Sequence, residues 1–231
     1  MKFKISFKLK LTMRNDICLS IGNVDYSAVI EYLNRVSFAE IRIDLLNLKR
    51  EQLSHIFSAY NNLIATCRGG SIGDDERFMI LIDALDQGAA FVDVEIDSTE
   101  HWFKPIVEKA KALKRKVIVS SHNFQHTPNA DELYRTVDSL FDAGADVAKI
   151  ACMVRSPEDN AKMLGLYASY QNLISLGMGN RGVISRVLAP LLGAPFTYAS
   201  IPGQGTAEGQ LDKNQMNEII NFLEQHTSGK D

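Results

Sequence analysis

From residue 17 onward the chain alternates between two hydrophobic rhythms. Short β-branched or otherwise apolar runs fall at 17–21, 39–45, 63–67, 91–96, 116–121, 147–153, 172–176 and 196–200. They have the length and composition of strands buried in a parallel sheet. Between them lie segments 26–36, 49–60, 74–87, 99–113, 129–143, 156–170 and 181–192, with 212–225 after the last run, each long enough for three or more helical turns. Gly88 and Gly144 sit where helices should stop, and Asp212 and Ser156-Pro157 where helices should start. Strict strand–helix alternation demands parallel strands joined by right-handed crossovers. Eight such pairs, with no glycine-rich dinucleotide fingerprint after the first strand, favour a closed (β/α)8 TIM barrel over an open doubly wound sheet. Residues 1–12 alternate lysines with Phe3, Ile5, Phe7, Leu9 and Leu11. That period of two predicts a short N-terminal strand preceding a single barrel domain over 13–231.

Composition narrows the function classes. Hydrophobic residues at 45% and charged residues at 23% predict a packed core, and the net charge of −3 is too balanced for affinity built on nucleic-acid phosphates. No apolar run approaches the ~20 residues needed to span a bilayer, so no membrane partner is expected. Cys18, Cys67 and Cys152 are odd in number and widely spaced, which argues against a disulfide framework and a zinc cluster and for a reducing, cytoplasmic compartment. The expected partner is a small molecule.

In a barrel the chemistry sits at the carboxyl ends of the strands. The second run reads Glu40-Ile41-Arg42-Ile43-Asp44, three charged residues at period two that should share the inner face. The third ends in Thr66-Cys67-Arg68, the fourth in Asp93-Val94-Glu95-Ile96-Asp97, the fifth in Ser120-Ser121-His122-Asn123-Phe124. Lys149 is the one charge in an otherwise apolar sixth run. An amine there either snorkels outward or is held inward as a desolvated nucleophile. Glycines 177, 179 and 182 after the seventh run permit close backbone approach by an anion, and Arg186 near the next helix start can clamp a carboxylate.

Taken in order, ExRxD, TxR, SxHNF, KIA, MGxxGxxSR and a closing GQ loop resemble the type I 3-dehydroquinate dehydratases, the Schiff-base class of the shikimate pathway. The resemblance covers nearly the whole chain from about Ile17. It implies that Lys149 forms an imine with the ketone of 3-dehydroquinate and that His122 shuttles protons as general base and acid. It further implies that Glu40, Arg42 and Arg68 bind hydroxyls and orient the ring, that Arg186 holds the carboxylate, and that Met178 and Met153 supply apolar walls. The family glutamine lies just before the last helix, four positions after a small hydroxyl residue. Thr206 and Gln210 meet both conditions, whereas Ser200 and Gln204 match the local letters but lie upstream. The product would be 3-dehydroshikimate, with no metal and no diffusible cofactor, and a homodimer is implied because family members are commonly dimers.

Two positions depart from the pattern. Ile72 stands where most members carry a glutamate that pairs with the catalytic histidine, leaving Asp74, Asp75 or Glu76 as candidates for that task; Glu208 replaces the usual proline of the closing loop. A class I aldolase-like lyase would instead carry a phosphate site after strands seven and eight. A catalytically silent barrel binding a quinate-like acid could dispense with Lys149 or His122.

Overall fold

The computed structural model describes residues 17–227 except Ser71, so the strand expected over 1–12 lies outside the described residues. Eight strands alternate with eight α-helices: β1 (Ile17–Ile21), α1 (Tyr26–Leu33), β2 (Ala39–Arg42), α2 (Arg50–Ala59), β3 (Leu63–Thr66), α3 (Asp74–Gln87), β4 (Phe91–Glu95), α4 (Glu100–Ala112), β5 (Lys116–Asn123), α5 (Ala130–Asp142), β6 (Val147–Met153), α6 (Pro157–Gly165), β7 (Leu173–Met178), α7 (Val183–Leu192), β8 (Thr197–Ser200) and α8 (Lys213–Thr227). Every ladder is parallel, and the order runs β7-β6-β5-β4-β3-β2-β1-β8. This is a (β/α)8 barrel, nearly closed: among the described residues no ladder joins β7 to β8. At that seam α7 packs on both strands, and Thr197 donates its hydroxyl to the Arg186 carbonyl at 2.8 Å. No helix among the described residues is long and apolar enough to cross a membrane.

Local chemistry explains the helix starts. Asp25 accepts from the Ala28 amide at 2.9 Å, Asn129 from Glu132 at 3.0 Å, and Asp212 from Gln215 at 3.0 Å, satisfying donors that a first turn leaves free. Ser156 and Asp159 form a capping box with Pro157 at the first helical position. Gly88 and Gly144 end their helices at φ values of 122° and 101°, a region costly for residues with a Cβ.

Alternation along the strands sorts the interior into layers. Phe38, Phe91 and Phe196, at the amino ends of β2, β4 and β8, meet at ring-centroid distances of 4.9 to 6.2 Å and form an aromatic floor. Two residues further along, the same inward positions turn polar. Aliphatic residues on the other face, Ile41, Val92 and Ile150 among them, are buried beneath the helices. β2 is shorter than its sequence suggested. Arg42 leaves extended geometry at ψ 79°, and Ile43–Leu45 form a 3₁₀ turn, so Asp44 is not part of the strand. The Asn23 amide donates to the Leu45 carbonyl at 2.9 Å, which holds this turn over the barrel mouth. β5 runs two residues beyond its expected end and carries His122 within the strand.

Gly177 and Gly182 meet back to back: a Cβ on Gly182 would lie 2.4 Å from the Gly177 carbonyl carbon. Backbone cannot yield as a flexible side chain would. We predict that Gly182→Ala lowers stability by about 1–3 kcal/mol, read as a shift of the denaturation midpoint.

Candidate active site

A cavity of about 560 Å³ opens at the carboxyl ends of the strands. Its wall brings together Glu40, Arg42, Arg68, His122, Lys149, Met178, Arg186, Thr206 and Gln210, drawn from six strands or the segments that follow them. Gln204 and Ser200 are not in that wall; Ser200 is buried in β8 and Gln204 is exposed beyond it.

The inward charges are matched in pairs. Lys149, only 7% exposed, donates from Nζ to Asp93 Oδ2 at 2.8 Å and lies 3.9 Å from Glu40 Oε1. Asp93 also accepts from Arg68 at 2.7 Å and from the Ser120 hydroxyl at 2.6 Å. Burial alone would raise its pKa, but Arg68, Lys149 and Ser120 outweigh that and hold the carboxyl well below the usual range. Burial would lower Arg68, but Asp93, Glu95 and Glu40 outweigh it and raise the guanidinium. Glu40 accepts from Ser20 at 2.5 Å and Thr66 at 2.9 Å. Arg42 makes a two-pronged contact with Asp44, at 3.0 and 2.6 Å. Both guanidiniums are thus engaged by carboxylates, and the amine sits on Asp93.

Registry sets the relation between Lys149 and His122. Ser120 pairs with Lys149 and His122 with Ala151, so the imidazole stands one inward position, about 6.6 Å of strand rise, nearer the mouth. Phe124 stacks on its ring with centroids 5.9 Å apart and 13° between planes. Burial lowers the pKa of His122 below 6.5, with the nearby Arg68 and Lys149 charges acting in the same direction and Glu95 opposing them. Glu95 Oε1 lies 3.3 Å from His122 Nδ1, at an angle oblique for a formed hydrogen bond. Neither Ile72 nor the acids after it take that place. Ile72 packs on the hydrophobic core, and Asp74 pairs with Arg77 at 2.8 Å.

Arg186 differs from the other cavity cations. It is 3% exposed, Nε has no hydrogen-bond partner, no carboxylate pairs with it among the described residues, and burial pushes its pKa down to about 10. An unpaired guanidinium facing a cavity is a receptor for an anion.

The closing loop folds over the cavity through small contacts. The Thr206 hydroxyl lies 2.8 Å from Ser20 Oγ and 2.9 Å from Gln210 Oε1, and its single proton serves one at a time. Arg42 donates to the Thr206 carbonyl at 3.3 Å. Gly209, at φ 74°, rests against Gly179, where a Cβ would meet the carbonyl oxygen at 2.3 Å. The glycines after β7 are therefore used in backbone-to-backbone packing against Gly182 and Gly209, rather than left open as an anion cradle.

Ser20, Asp93, Glu95, Ser120 and Tyr198 were not singled out as site residues from sequence. Asp93 and Glu95 carried a signal in their period-two spacing on β4; Tyr198, whose ring lies 4.5 Å under Lys149 Nζ, carried none, because aromatic residues in strands are ordinary core. The three cysteines are buried, and burial raises their thiol pKa values, Cys67 to about 11 and Cys152 to about 12, so none is a ready nucleophile.

The fold is a (β/α)8 barrel whose strand ends gather a buried amine, an imidazole and an unpaired guanidinium around one cavity. The model of the type I 3-dehydroquinase family matches residues 17–227, and the chain belongs to that family. Similar curated proteins include the 3-dehydroquinate dehydratases of Dehalococcoides mccartyi, 34% identical over 91% of this chain and 98% of that protein, and of Methanococcus maripaludis strain C6, 32% identical over 90% and 100%. Among solved structures, the type I enzyme of Clostridium difficile superposes with a TM-score of 0.79 at 24% identity, covering 91% of this chain and 92% of that one. The Geobacillus kaustophilus enzyme gives 0.80 at 22%, covering 92% of both chains.

Because Arg186 is buried without a counter-ion, its removal should not weaken the empty protein. Arg186→Met is expected to melt at or above the wild-type temperature without ligand, and to lose the thermal upshift that a carboxylate ligand gives the wild type.

Proposed function

We propose that this chain dehydrates 3-dehydroquinate to 3-dehydroshikimate through an imine on Lys149, with His122 as proton carrier. The observation that carries the reading is the buried Lys149 amine, the one lysine in the cavity wall among the described residues, facing a space that also holds His122 and the unpaired Arg186. The family match and the names of the relatives support the same substrate.

In this mechanism the substrate carboxylate pairs with Arg186, which sets the ring against the remaining wall. Glu40, Arg42, Arg68, Thr206 and Gln210 offer acceptors and donors to its hydroxyl groups, and Met178 an apolar surface. Lys149, an ammonium on Asp93 at rest, first gives a proton to His122; its lone pair then attacks the ketone carbon, His122 returns the proton to the resulting hydroxyl, and loss of water leaves a protonated imine. Asp93, already 2.8 Å from Nζ, faces the positive nitrogen and stabilises it. His122 removes a proton from the carbon beside the imine, and the electron pair moves into the iminium to give an enamine. Collapse of the enamine expels the β-hydroxyl, which leaves as water after taking the proton from His122. A second water hydrolyses the conjugated imine and frees the lysine, so the net change is loss of one water.

Borohydride reduction during turnover of 3-dehydroquinate should fix a ligand-derived mass on Lys149. Lys149→Ala should show neither adduct nor turnover; an active Lys149→Ala protein would dismiss the imine route. Since His122 titrates below 6.5 when folded, it remains a base as pH falls through 6.5. The acidic limb of kcat/KM is therefore expected below pH 6.5 and should vanish with the ~10²–10⁴-fold slower His122→Ala variant.

A further inference from the structure

Resting on the reading of His122 as proton carrier, we propose that Glu95 is the positioning residue for that histidine. Its carboxylate, steadied by Arg77, fixes the imidazole with Nδ1 protonated and Nε2 turned toward the substrate carbon.

Three observations lead there. His122 Nδ1 is buried and has no formed hydrogen bond, and the acceptor it faces is Glu95 Oε1 at 3.3 Å. Hydrogen bonds of a catalytic pair are often long in an empty site and shorten when ligand fills it. The second carboxylate oxygen, Oε2, lies 3.4 Å from Arg77 NH2, and Arg77 is itself tied down, with Nε donating to the Cys67 carbonyl at 3.0 Å and NH1 to Asp74 at 2.8 Å. Glu95 is thus held on Oε2 by α3, and its Oε1, which also lies 3.6 Å from Arg68 NH1, faces β5. Finally, Phe124 covers the face of the ring, so the imidazole is restrained on its face and at one edge, leaving the opposite edge for the cavity.

The charged groups facing His122 are Glu95 and Asp93 from β4, Arg68 from the end of β3 and Lys149 from β6. Burial and the two cations disfavour the imidazolium, and the carboxylates favour it. Without the Glu95 charge the balance moves against the proton, which makes the imidazole a weaker base and leaves the tautomer unspecified. The carboxylate comes from β4, two residues beyond Asp93, so one strand serves both partners: Asp93 the amine, Glu95 the imidazole.

The test has two arms. Nitrogen NMR of the wild-type protein, above the pH at which His122 titrates, should show the Nδ1–H tautomer; an Nε2–H tautomer overturns the proposal without any variant having to fold. Glu95→Gln keeps the shape and removes the charge. It should lower kcat about tenfold or more with KM changed less than about threefold, and move the acidic limb of kcat/KM to lower pH. Borohydride trapping on Lys149 should still succeed in that variant. An unchanged kcat and an unmoved limb would sink the assignment. The underlying reading fails by a different sign, full activity in His122→Ala, so the two failures are distinguishable.

Discussion

Charge buried in the barrel interior has to be matched, and Asp93 is where most of the matching occurs. One carboxylate takes hydrogen bonds from Lys149, Arg68 and Ser120 while itself fully enclosed. Taking these groups out of water is costly, and only close geometry with few free lone pairs repays it. β3, β4, β5 and β6 are consequently locked to one another by polar contacts in the upper half of the barrel, in addition to their backbone ladders. Below this layer the aromatic floor of Phe38, Phe91 and Phe196 keeps water from entering at the amino ends.

Against that background Arg186 is the exception, buried in the cavity wall with no carboxylate paired to it among the described residues. Every other cation in the wall is already paired, so the field left over is positive and sits on one side. The charge that folding leaves unbalanced thus lies on the β7 side of the cavity, next to the strand that carries Lys149. The loop carrying Thr206 and Gln210 joins this arrangement through Ser20 and Arg42, groups that also contact or neighbour the inner carboxylates. The loop and the β1–β2 side of the site are therefore tied by direct contacts, with Gly209 on Gly179 allowing the backbones to approach.

The alternation of strands and helices was legible because each strand had to be apolar on the face under the helices, and the inward polar positions stood out against it. Lys149 and His122 stood out for that reason, whereas Arg186, in α7, was noticed from its place near a helix start after a glycine-rich segment. Glu95 was visible as a polar strand end, but its task was not. The sequence offered Asp74, Asp75 and Glu76 as partners for His122, although a helix's first turn attracts acids in any case, whereas the carboxylate that faces the imidazole lies on the neighbouring strand. The anion cradle expected of the glycines after β7 was misplaced for a similar reason: a glycine admits close approach, but only packing decides what approaches.

What the sequence by itself determined is which face of each segment is apolar, and hence eight parallel strands with their chemistry at one end; periodicity is local and survives without knowledge of neighbours. What only the tertiary structure decided is pairing. The barrel's stagger sets Lys149 against Asp93, fifty-six positions apart, and Glu95 against His122, and it leaves Arg186 alone. Such contacts depend on the register between strands, a property that belongs to no single stretch of chain.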